Sequence, residues 1–587
     1  MPVRRVSAAK GSLVTNFVRL PADRREAAGQ RLQSGSGCEA ERPSRVRRLR
    51  GYAAVVAMAC VIRWLFMLSC YRLPDSDQVI VGLMARHIIA GERPIFYWGQ
   101  SYNGTLDAYI TALLFRLVGA SYEAMHVAPI AFSVLFVAAT MHIAHFLYGR
   151  SIALLSGVAL ACGPALLLHY SIEPGYNYLE AMALATLALS LLLPLGTSGG
   201  WWRLPAASFL LGLALWAQPL AAVYIPSLLL VVLGPVVNAW GRASERRRLL
   251  GATLLAVMLL GLALWPYIVF NTRADGASLH FLLSRPSHLP ISLPEKLRRL
   301  ALWSSPVLLG LYPPSTVPDR VVRVLHRYPL VDPVVLVLLS LCALKLLASW
   351  RPLSFRVRST GVTCPVGGAS LLMLALVTAG SYLCSSWSSS SWSATDPRYL
   401  LPLYTLTPLL LRGLLPRICP RWGRWAGGIA IALALTWGMS VNLSTPPVAS
   451  LSSLAGQLER QGTQVVYGNY WDVYRLAYVS DERLVPVVAT PGMGMGLNRY
   501  PAYLQRAARA TSGAWIVLPN SRAEWALRTC LQRRHLAYQH VVYLDGDRLA
   551  VYDRLSSPAL CLEPVTQRPP YRAPESPKRI TASFGHG

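Results

Sequence analysis

Four carboxylates and a small set of arginines are the side chains in this sequence best suited to chemistry. Asp75 and Asp77 stand in an Asp-Ser-Asp run, Asp107 follows Asp77 by thirty residues, and Glu173 lies in HYSIEPGYNY. Carboxylates gathered at one face can take a proton from an attacking hydroxyl or hold a divalent cation such as Mg or Mn. The basic candidates are Arg285, Lys296, Arg298, Arg299, Arg320, Arg323 and Arg327 in one segment, and Arg398 in TDPRYLLPLY. Planar guanidinium groups suit a phosphate, which they bind through paired hydrogen bonds. Each residue also has a plainer use. Asp77 and Asp107 could cap the helices that follow them, Glu173 could be a solvated loop residue, and the arginines could sit against lipid headgroups.

The elements that must position these groups are mostly apolar. The chain has 587 residues, 53 % of them hydrophobic and only 14 % charged. An average soluble protein has roughly 25 % charged residues, and a disordered chain is poor in apolar ones. The apolar residues lie in runs near the 20 or so that a bilayer requires. Runs fall at about 52–70, 124–147, 151–168, 178–196, 204–219, 220–237, 250–271, 333–349, 362–385, 399–412 and 425–442. That predicts an α-helical polytopic membrane protein of about eleven spans. Arg63 interrupts the first run and could snorkel or face the bundle interior.

Basic residues set the orientation. Residues 1–51 hold twelve of them, and alternate loops carry Arg150, Arg203, Arg242 with Arg246–Arg248, Arg351 with Arg356 and Arg358, and Arg412 with Arg417, Arg421 and Arg424. The N-terminus is therefore expected in the cytoplasm, as an Arg-rich disordered tail over 1–51, with the membrane module over 52–442. Most of the net charge of +29 is accounted for by this topology, so no nucleic-acid partner is inferred. Only four of the 56 basic residues are Lys, which suggests a GC-rich bacterial genome and hence the inner (plasma) membrane.

Three longer segments then fall outside: 71–123, 272–332 and everything after 442. The Asp-x-Asp pattern of nucleotide-sugar sites is discounted at 75–77, because this loop faces away from the cytoplasm. Within 71–123, QVIVGLMARHIIAG predicts a helix lying in the membrane interface, apolar side down. LDAYITALLFRLVG is too short to span and reads as interfacial or re-entrant. Residues 443–560 change character. TQVVYGNYW, RLVPVVAT, AWIVLPN and HVVYLDGDRLAVYDR read as strands, with helices at SLSSLAGQLERQ, RYPAYLQRAARA and SRAEWALRTCLQRR. That predicts a small extracytoplasmic α/β domain, followed over 561–587 by a Pro-rich disordered tail. Cys530 and Cys561 both fall outside, where a disulfide could form. Gly492, Gly494 and Gly496 read as a turn.

The stretch from Asp77 to Ala85-Arg86, followed by GERPIFYWGQSYNGTLDAY, resembles the first outer loop of the GT-C glycosyltransferases. The likeness is to the family 39 group of protein O-mannosyltransferases and the lipid A aminoarabinose transferase. It extends through RYLLPLY at 398–404 and YGNYWDVYRLAYVSDERLVPV at 467–487, over about 52–555. The resemblance implies a sugar donor carried on polyprenyl phosphate and transfer at the outer face, usually with inversion, to a glycan, lipid or protein acceptor. It places the family's loop Asp at Asp77, with Asp75 as runner-up. The family's second acidic position falls at Asp107, where relatives more often have Glu, and a functional loop position falls at Glu173. Arg398, with Arg285, Arg320 and Arg323, is expected to hold the lipid phosphate, and a divalent cation is optional. A lipid-sugar flippase or transporter and a non-catalytic lipid-binding relative are the alternative readings. A transporter should show internal repeats and polar groups deep in its spans, and neither stands out.

Overall fold

The computed structural model describes residues 45–70, 75–195, 200–283, 291–310, 365–385, 396–414, 451–536, 538, 541–544, 549–555 and 558–562. The spans expected at 333–349 and 425–442, both termini, and Arg285, Arg320, Arg323 and Arg327 lie outside them. The chain divides into two units, 1–52 and 53–587. Only the start of one helix is described in the first, and everything below concerns the second.

The helices are α1 (Arg45–Cys70), α2 (Ser76–Ile89), α3 (Leu106–Val118), α4 (Tyr122–Tyr148), α5 (Arg150–Cys162), α6 (Ala165–Tyr170), α7 (Tyr178–Leu192), α8 (Arg203–Ala217), α9 (Ile225–Trp240) and α10 (Ala243–Arg273). Five helical stretches among the described residues are long and apolar enough to cross a membrane: Leu49–Leu68, Tyr122–Tyr148, Pro219–Trp240, Ala243–Arg273 and Val366–Cys384. α5, α7 and α8 are shorter apolar helices. Ala181, Ala185, Ala188, Ala207 and Ala214 let α7 and α8 approach closely within a buried cluster, as small residues do in membrane bundles.

Two expected spans differ from their sequence reading. The run at 151–168 breaks at Gly163-Pro164 into α5 and α6. Pro164 has no N–H to give the Leu160 carbonyl. Arg63 donates there instead, at 3.2 Å, and to the Ala161 carbonyl at 3.1 Å. It is wholly buried, so it faces the bundle and serves as a side-chain cap. The run at 399–412 is a 3₁₀ helix over Asp396–Leu406 followed by a short helix, Thr407–Leu414. Pro397 and Pro402 withhold two backbone donors from an α-helical ladder.

The C-terminal region is α/β, as expected. Its sheet contains β1 (Val465–Gly468), β2 (Val485–Val488), β3 (Gly513–Val517), β4 (Val541–Leu544) and β5 (Leu549–Leu555), in the order β2-β1-β3-β5-β4. β1 is parallel to both β2 and β3, and β5 is antiparallel to β3 and β4. A disulfide joins Cys530 to Cys561. A helix absent from the sequence reading, Tyr470–Val479, connects β1 to β2, capped by the Asn469 side chain on the Trp471 N–H.

That helix corrects the placement of α2. Its apolar residues Val79, Ile80, Leu83 and Met84 do not face lipid. They join one buried core with Val473, Tyr474, Leu476 and Ala477 of helix 470–479. Polar links run along the same interface. Ser76 donates to the Tyr470 carbonyl at 2.8 Å, and Arg86 donates to the Tyr478 carbonyl and pairs with Asp481, at 2.9 and 2.8 Å. Gly82 permits the close approach, since a Cβ there would stand 2.4 Å from the Tyr478 ring and 2.6 Å from the Met125 sulfur.

His87 closes the interface. Its Nδ1 lies 2.8 Å from Glu92 and its Nε2 2.9 Å from Glu482. With a carboxylate at each nitrogen, the ring is satisfied only as a doubly protonated imidazolium. Burial works against all three charges and is outweighed. Glu482 and Glu92 raise the His87 pKa; Tyr500 and His87 lower that of Glu92; His87 and Tyr503 lower that of Glu482. His87 therefore contributes fully below its unfolded pKa of about 6.5 and loses that contribution as pH rises through its folded value. The carboxylates contribute above their unfolded pKa of about 4.3 and lose it as pH falls through their lowered values.

Two outcomes are expected. Gly82→Val should destabilise the chain by about 1–3 kcal/mol through overpacking, read as a lower thermal midpoint. His87→Gln should lower the midpoint clearly below the unfolded histidine pKa of about 6.5 and progressively less as pH rises through the raised folded value of His87. A deficit that does not shrink as pH rises would mean that the pairing is not ionic.

Candidate active site

Asp75 is the N-cap of α2, accepting from the Gln78 N–H at 3.0 Å. Capping thus falls to Asp75 and not to Asp77, and burial pushes the Asp75 carboxyl up to about 6. Asp77 sits in the first turn with its carboxylate directed at groups from several segments. Its Oδ1 accepts from Arg499 Nη2 at 3.1 Å and from the Tyr470 hydroxyl. Its Oδ2 accepts from the Tyr176 hydroxyl at 3.2 Å, and its backbone carbonyl from the Tyr97 hydroxyl.

Arg499 was not singled out from sequence. It follows the turn around Gly492–Gly496, where Thr490 and Gly494 exchange hydrogen bonds. Its side chain is only 7 % exposed. The guanidinium also donates to the Tyr470 hydroxyl at 3.1 Å, lies against the rings of Tyr97 and Tyr470, and meets the Gln100 amide oxygen at 2.7 Å in the orientation that satisfies that amide. The C-terminal domain thus contributes both Tyr470 and Arg499 to the carboxylate on α2.

Asp107 is buried behind this centre. It does not cap α3, whose N-cap is Thr105. Its two oxygens accept from the Ala108 and Gly175 N–H groups. Asn103 donates to the Gly175 carbonyl at 2.6 Å, and Asn177 donates to Asn103 and to the Gly104 carbonyl at 3.0 and 2.7 Å. Gly175 has φ +93°, and a Cβ there would meet Val81, the Asp77 carbonyl and Tyr97 at 3.2–3.3 Å. This network fixes the 173–177 loop and so aims Tyr176 at Asp77. Glu173 is buried, not solvated; it accepts from Gln78 Nε2 and lies 3.5 Å from His169 Nδ1.

A run of tyrosines leads away from Asp77. Tyr176 stacks with Tyr178, and Tyr170 packs edge-on against both. Tyr178 and Tyr399 flank the Arg398 guanidinium, at 6.0 and 5.1 Å from their ring centres. Arg398 donates to the Tyr399 hydroxyl at 3.3 Å, while its buried Nε has no hydrogen-bond partner. Among the described residues no carboxylate pairs with it. Of the other basic candidates, Lys296 is committed to the Leu383 and Ser385 carbonyls, and Arg298 and Arg299 to Glu295.

The carboxylates as placed do not form a cation site. Each of Asp75, Asp77 and Glu173 has its own protein donors, and among the described residues no three metal-ligating side chains converge.

Neither a protein-family model nor a curated protein sequence matches this chain. Solved structures do. ArnT from Cupriavidus metallidurans bound to undecaprenyl phosphate matches with a TM-score of 0.56 at 15 % identity, over 86 % of this chain and 98 % of that one. Its apo state matches with a TM-score of 0.53 at 14 % identity, over the same shares. The Archaeoglobus fulgidus oligosaccharyltransferase in complex with Zn and sulfate matches at 0.45 and 14 % identity, over 79 % of this chain and 67 % of that one. At these identities the likeness is one of architecture: the chain has the GT-C fold, a polytopic helical module followed by a small α/β domain.

Proposed function

We propose that this protein transfers a glycosyl group from a polyprenyl-phosphate donor to an acceptor hydroxyl at the outer face of the membrane. The observation that carries this reading is the Arg398 guanidinium, lodged among tyrosines with a buried Nε and, among the described residues, no carboxylate partner. A cation in that condition calls for an anion from outside the protein. The shared fold with ArnT, crystallised with undecaprenyl phosphate, supports a lipid phosphate as that anion.

The chemistry follows from the two poles of the site. The acceptor oxygen attacks the anomeric carbon of the donor and forms the new glycosidic bond. The bond from that carbon to the phosphate oxygen breaks, and its electron pair leaves with the polyprenyl phosphate. Arg398 stabilises the charge that grows there. Asp77 takes the acceptor proton. Among the described residues its Oδ2 accepts only from the Tyr176 hydroxyl, so that oxygen keeps a lone pair for the proton while the Arg499 pair on Oδ1 stays intact. Attack opposite the leaving phosphate gives inversion. Asp75 is the reserve base. Asp107 and Glu173 act by positioning, through Gly175 and Gln78. Arg285, Arg320 and Arg323 remain further candidates for the phosphate.

Purified protein supplied with a radiolabelled polyprenyl-phosphate sugar should transfer the sugar or hydrolyse the donor. Binding without turnover would leave only the silent relative, and vectorial movement in liposomes would favour a transporter. Arg398→Gln should reduce transfer by about 10²–10³-fold, the usual loss when one charge-stabilising donor is removed, with Arg398→Lys retaining part of it. Asp77→Asn should abolish transfer while the protein still reaches the membrane fraction. Normal turnover in Asp77→Asn would remove Asp77 as the base.

A further inference from the structure

A second set of arginines gathers at the end of the helix bundle opposite the Asp77 centre. α4 starts beside the α/β domain, where Tyr122 meets the Tyr478 ring, and its 27 residues end at Tyr148. α7 leaves the Asp77 centre at Tyr178 and ends at Leu192. α8 starts at Arg203 and returns to the first outer loop at Ala217, whose carbonyl accepts from the Gly104 N–H at 3.0 Å. The Gly149-Arg150 turn and the start of α8 therefore share the far end. Trp201 ties the start of α10 to them by donating to Glu245 at 2.9 Å.

The charge at that end is one-sided. Among the described residues, Arg150, Arg203, Arg412 and four arginines over 242–248 stand against one carboxylate, Glu245, which is taken by Trp201 and Arg248. Arg203 is distinct within this field. The Gly200–Trp202 turn closes over its side chain. The Arg203 N–H donates to the Gly200 carbonyl at 3.0 Å, and a Cβ on Gly200 would stand 3.2 Å from the Arg203 Nε. The guanidinium carbon lies 5.7 Å from the centre of the Trp202 ring. Nε is buried without a hydrogen-bond partner, and among the described residues no carboxylate pairs with this guanidinium. His142 and His145, one turn apart on α4, are both exposed, and His142 lies within electrostatic reach of Arg203.

We infer that Arg203, with His142 beside it, binds the phosphate of an anionic phospholipid at this end of the bundle. A guanidinium half removed from water and left without a countercharge calls for an anion from outside. The surroundings specify a lipid. Trp202 is largely exposed beside the cation, as aromatic side chains are at a membrane–water interface. Hydrocarbon surface begins one helix away. α10 packs along α8, with Ala263 and Leu260 closing on Gly212, and Leu250, Leu254 and Met258 on its successive turns are each more than half exposed. A phospholipid uses both features, with its headgroup at Arg203 and its acyl chains against α10. A free anion uses only the first. Basic pockets between spanning helices hold anionic headgroups on the cytoplasmic side, which is the side expected for these arginines. The site is independent of the transfer reaction, because α8 alone puts about 22 Å between it and the outer loop.

Native mass spectrometry of the full chain in a non-ionic detergent tests this. The probes are phosphatidylglycerol, phosphatidylcholine with the same acyl chains, and glycerol phosphate. One phosphatidylglycerol should be retained per chain, about tenfold more tightly than either of the other two. Arg203→Gln should weaken that retention by about tenfold, and His142→Ala, at an exposed position, by a smaller factor in the same direction. Arg247→Gln removes the same charge from an exposed residue at the same end but outside the site, and should leave retention unchanged. A thermal midpoint in phosphatidylcholine equal to that of the wild type identifies a folded variant. The site is overturned if phosphatidylcholine or glycerol phosphate is retained as tightly as phosphatidylglycerol. It is also overturned if Arg203→Gln and Arg247→Gln weaken retention equally, since a diffuse field of charge would then be enough.

Discussion

Removing Asp77 and Arg499 from water costs several kcal/mol for each ion, and their attraction offsets this only when hydrogen bonds satisfy the remaining lone pairs and protons. The side chains are 16 % and 7 % exposed, so the requirement applies to both. Tyr470 serves the two partners at once, through separate hydrogen bonds to carboxylate and guanidinium. Tyr176 takes the other carboxylate oxygen, and Gln100 lies against the other side of the guanidinium. These groups come from α2, the loop after it, the loop before α7, and two segments of the α/β domain. Neither α2 nor the segment that carries Arg499 can shift alone without stranding a buried charge, a loss of about 3–5 kcal/mol. The pair thus sets where the domain sits on the loop.

The remaining contacts of α2 follow from that placement. Ser76, Arg86 and His87 each bind the domain, and Gly82 gives way to the Tyr478 ring between them. Surface ion pairs are individually weak, so Arg86–Asp481, with Asp481 well exposed, adds specificity more than stability. His87 differs, because it and Glu482 are mostly buried and each ring nitrogen is committed. The apolar residues of α2 supply most of the association energy by joining the domain core, while the polar groups select the register in which they do so. The α/β domain is therefore part of the candidate site, to which it contributes Tyr470 and Arg499, and not an appendage to it.

Much of this architecture was legible in the sequence because it rests on local regularities. Long apolar runs mark the spans, and the short strands of the outer domain alternate with amphipathic helices. Where local and tertiary demands conflict, the reading failed. YWDVYRLAYV is rich in residues that favour strands, and packing against α2 makes it a helix. The run at 151–168 is apolar throughout, and only Pro164 and the distant Arg63 show why it breaks. The 399–412 run loses its α-helical ladder to Pro402. Within the candidate site, Asp77 was singled out from its setting in the first loop. Arg499 was missed because an arginine after a glycine-rich turn looks like any solvated one, and its partner lies 422 residues away. The local signals around Asp107 and Glu173 suggested capping and solvation, whereas burial assigns both to the support of the 173–177 loop and α2.

The two arginines of the site have opposite circumstances, and the contrast carries mechanistic weight. Arg499, from the α/β domain, pairs with one carboxylate oxygen of Asp77, while the other oxygen is held by the Tyr176 hydroxyl. Tyr176, Tyr170 and Tyr178 then pack against one another on the way from the carboxylate to Arg398, whose guanidinium lies over the rings of Tyr178 and Tyr399. Arg398 is left with aromatic neighbours that stabilise a cation but cannot neutralise it. A lipid phosphate arriving there would gain a full countercharge without displacing a protein carboxylate. That is the condition under which a fixed cation favours the developing leaving group over the resting enzyme.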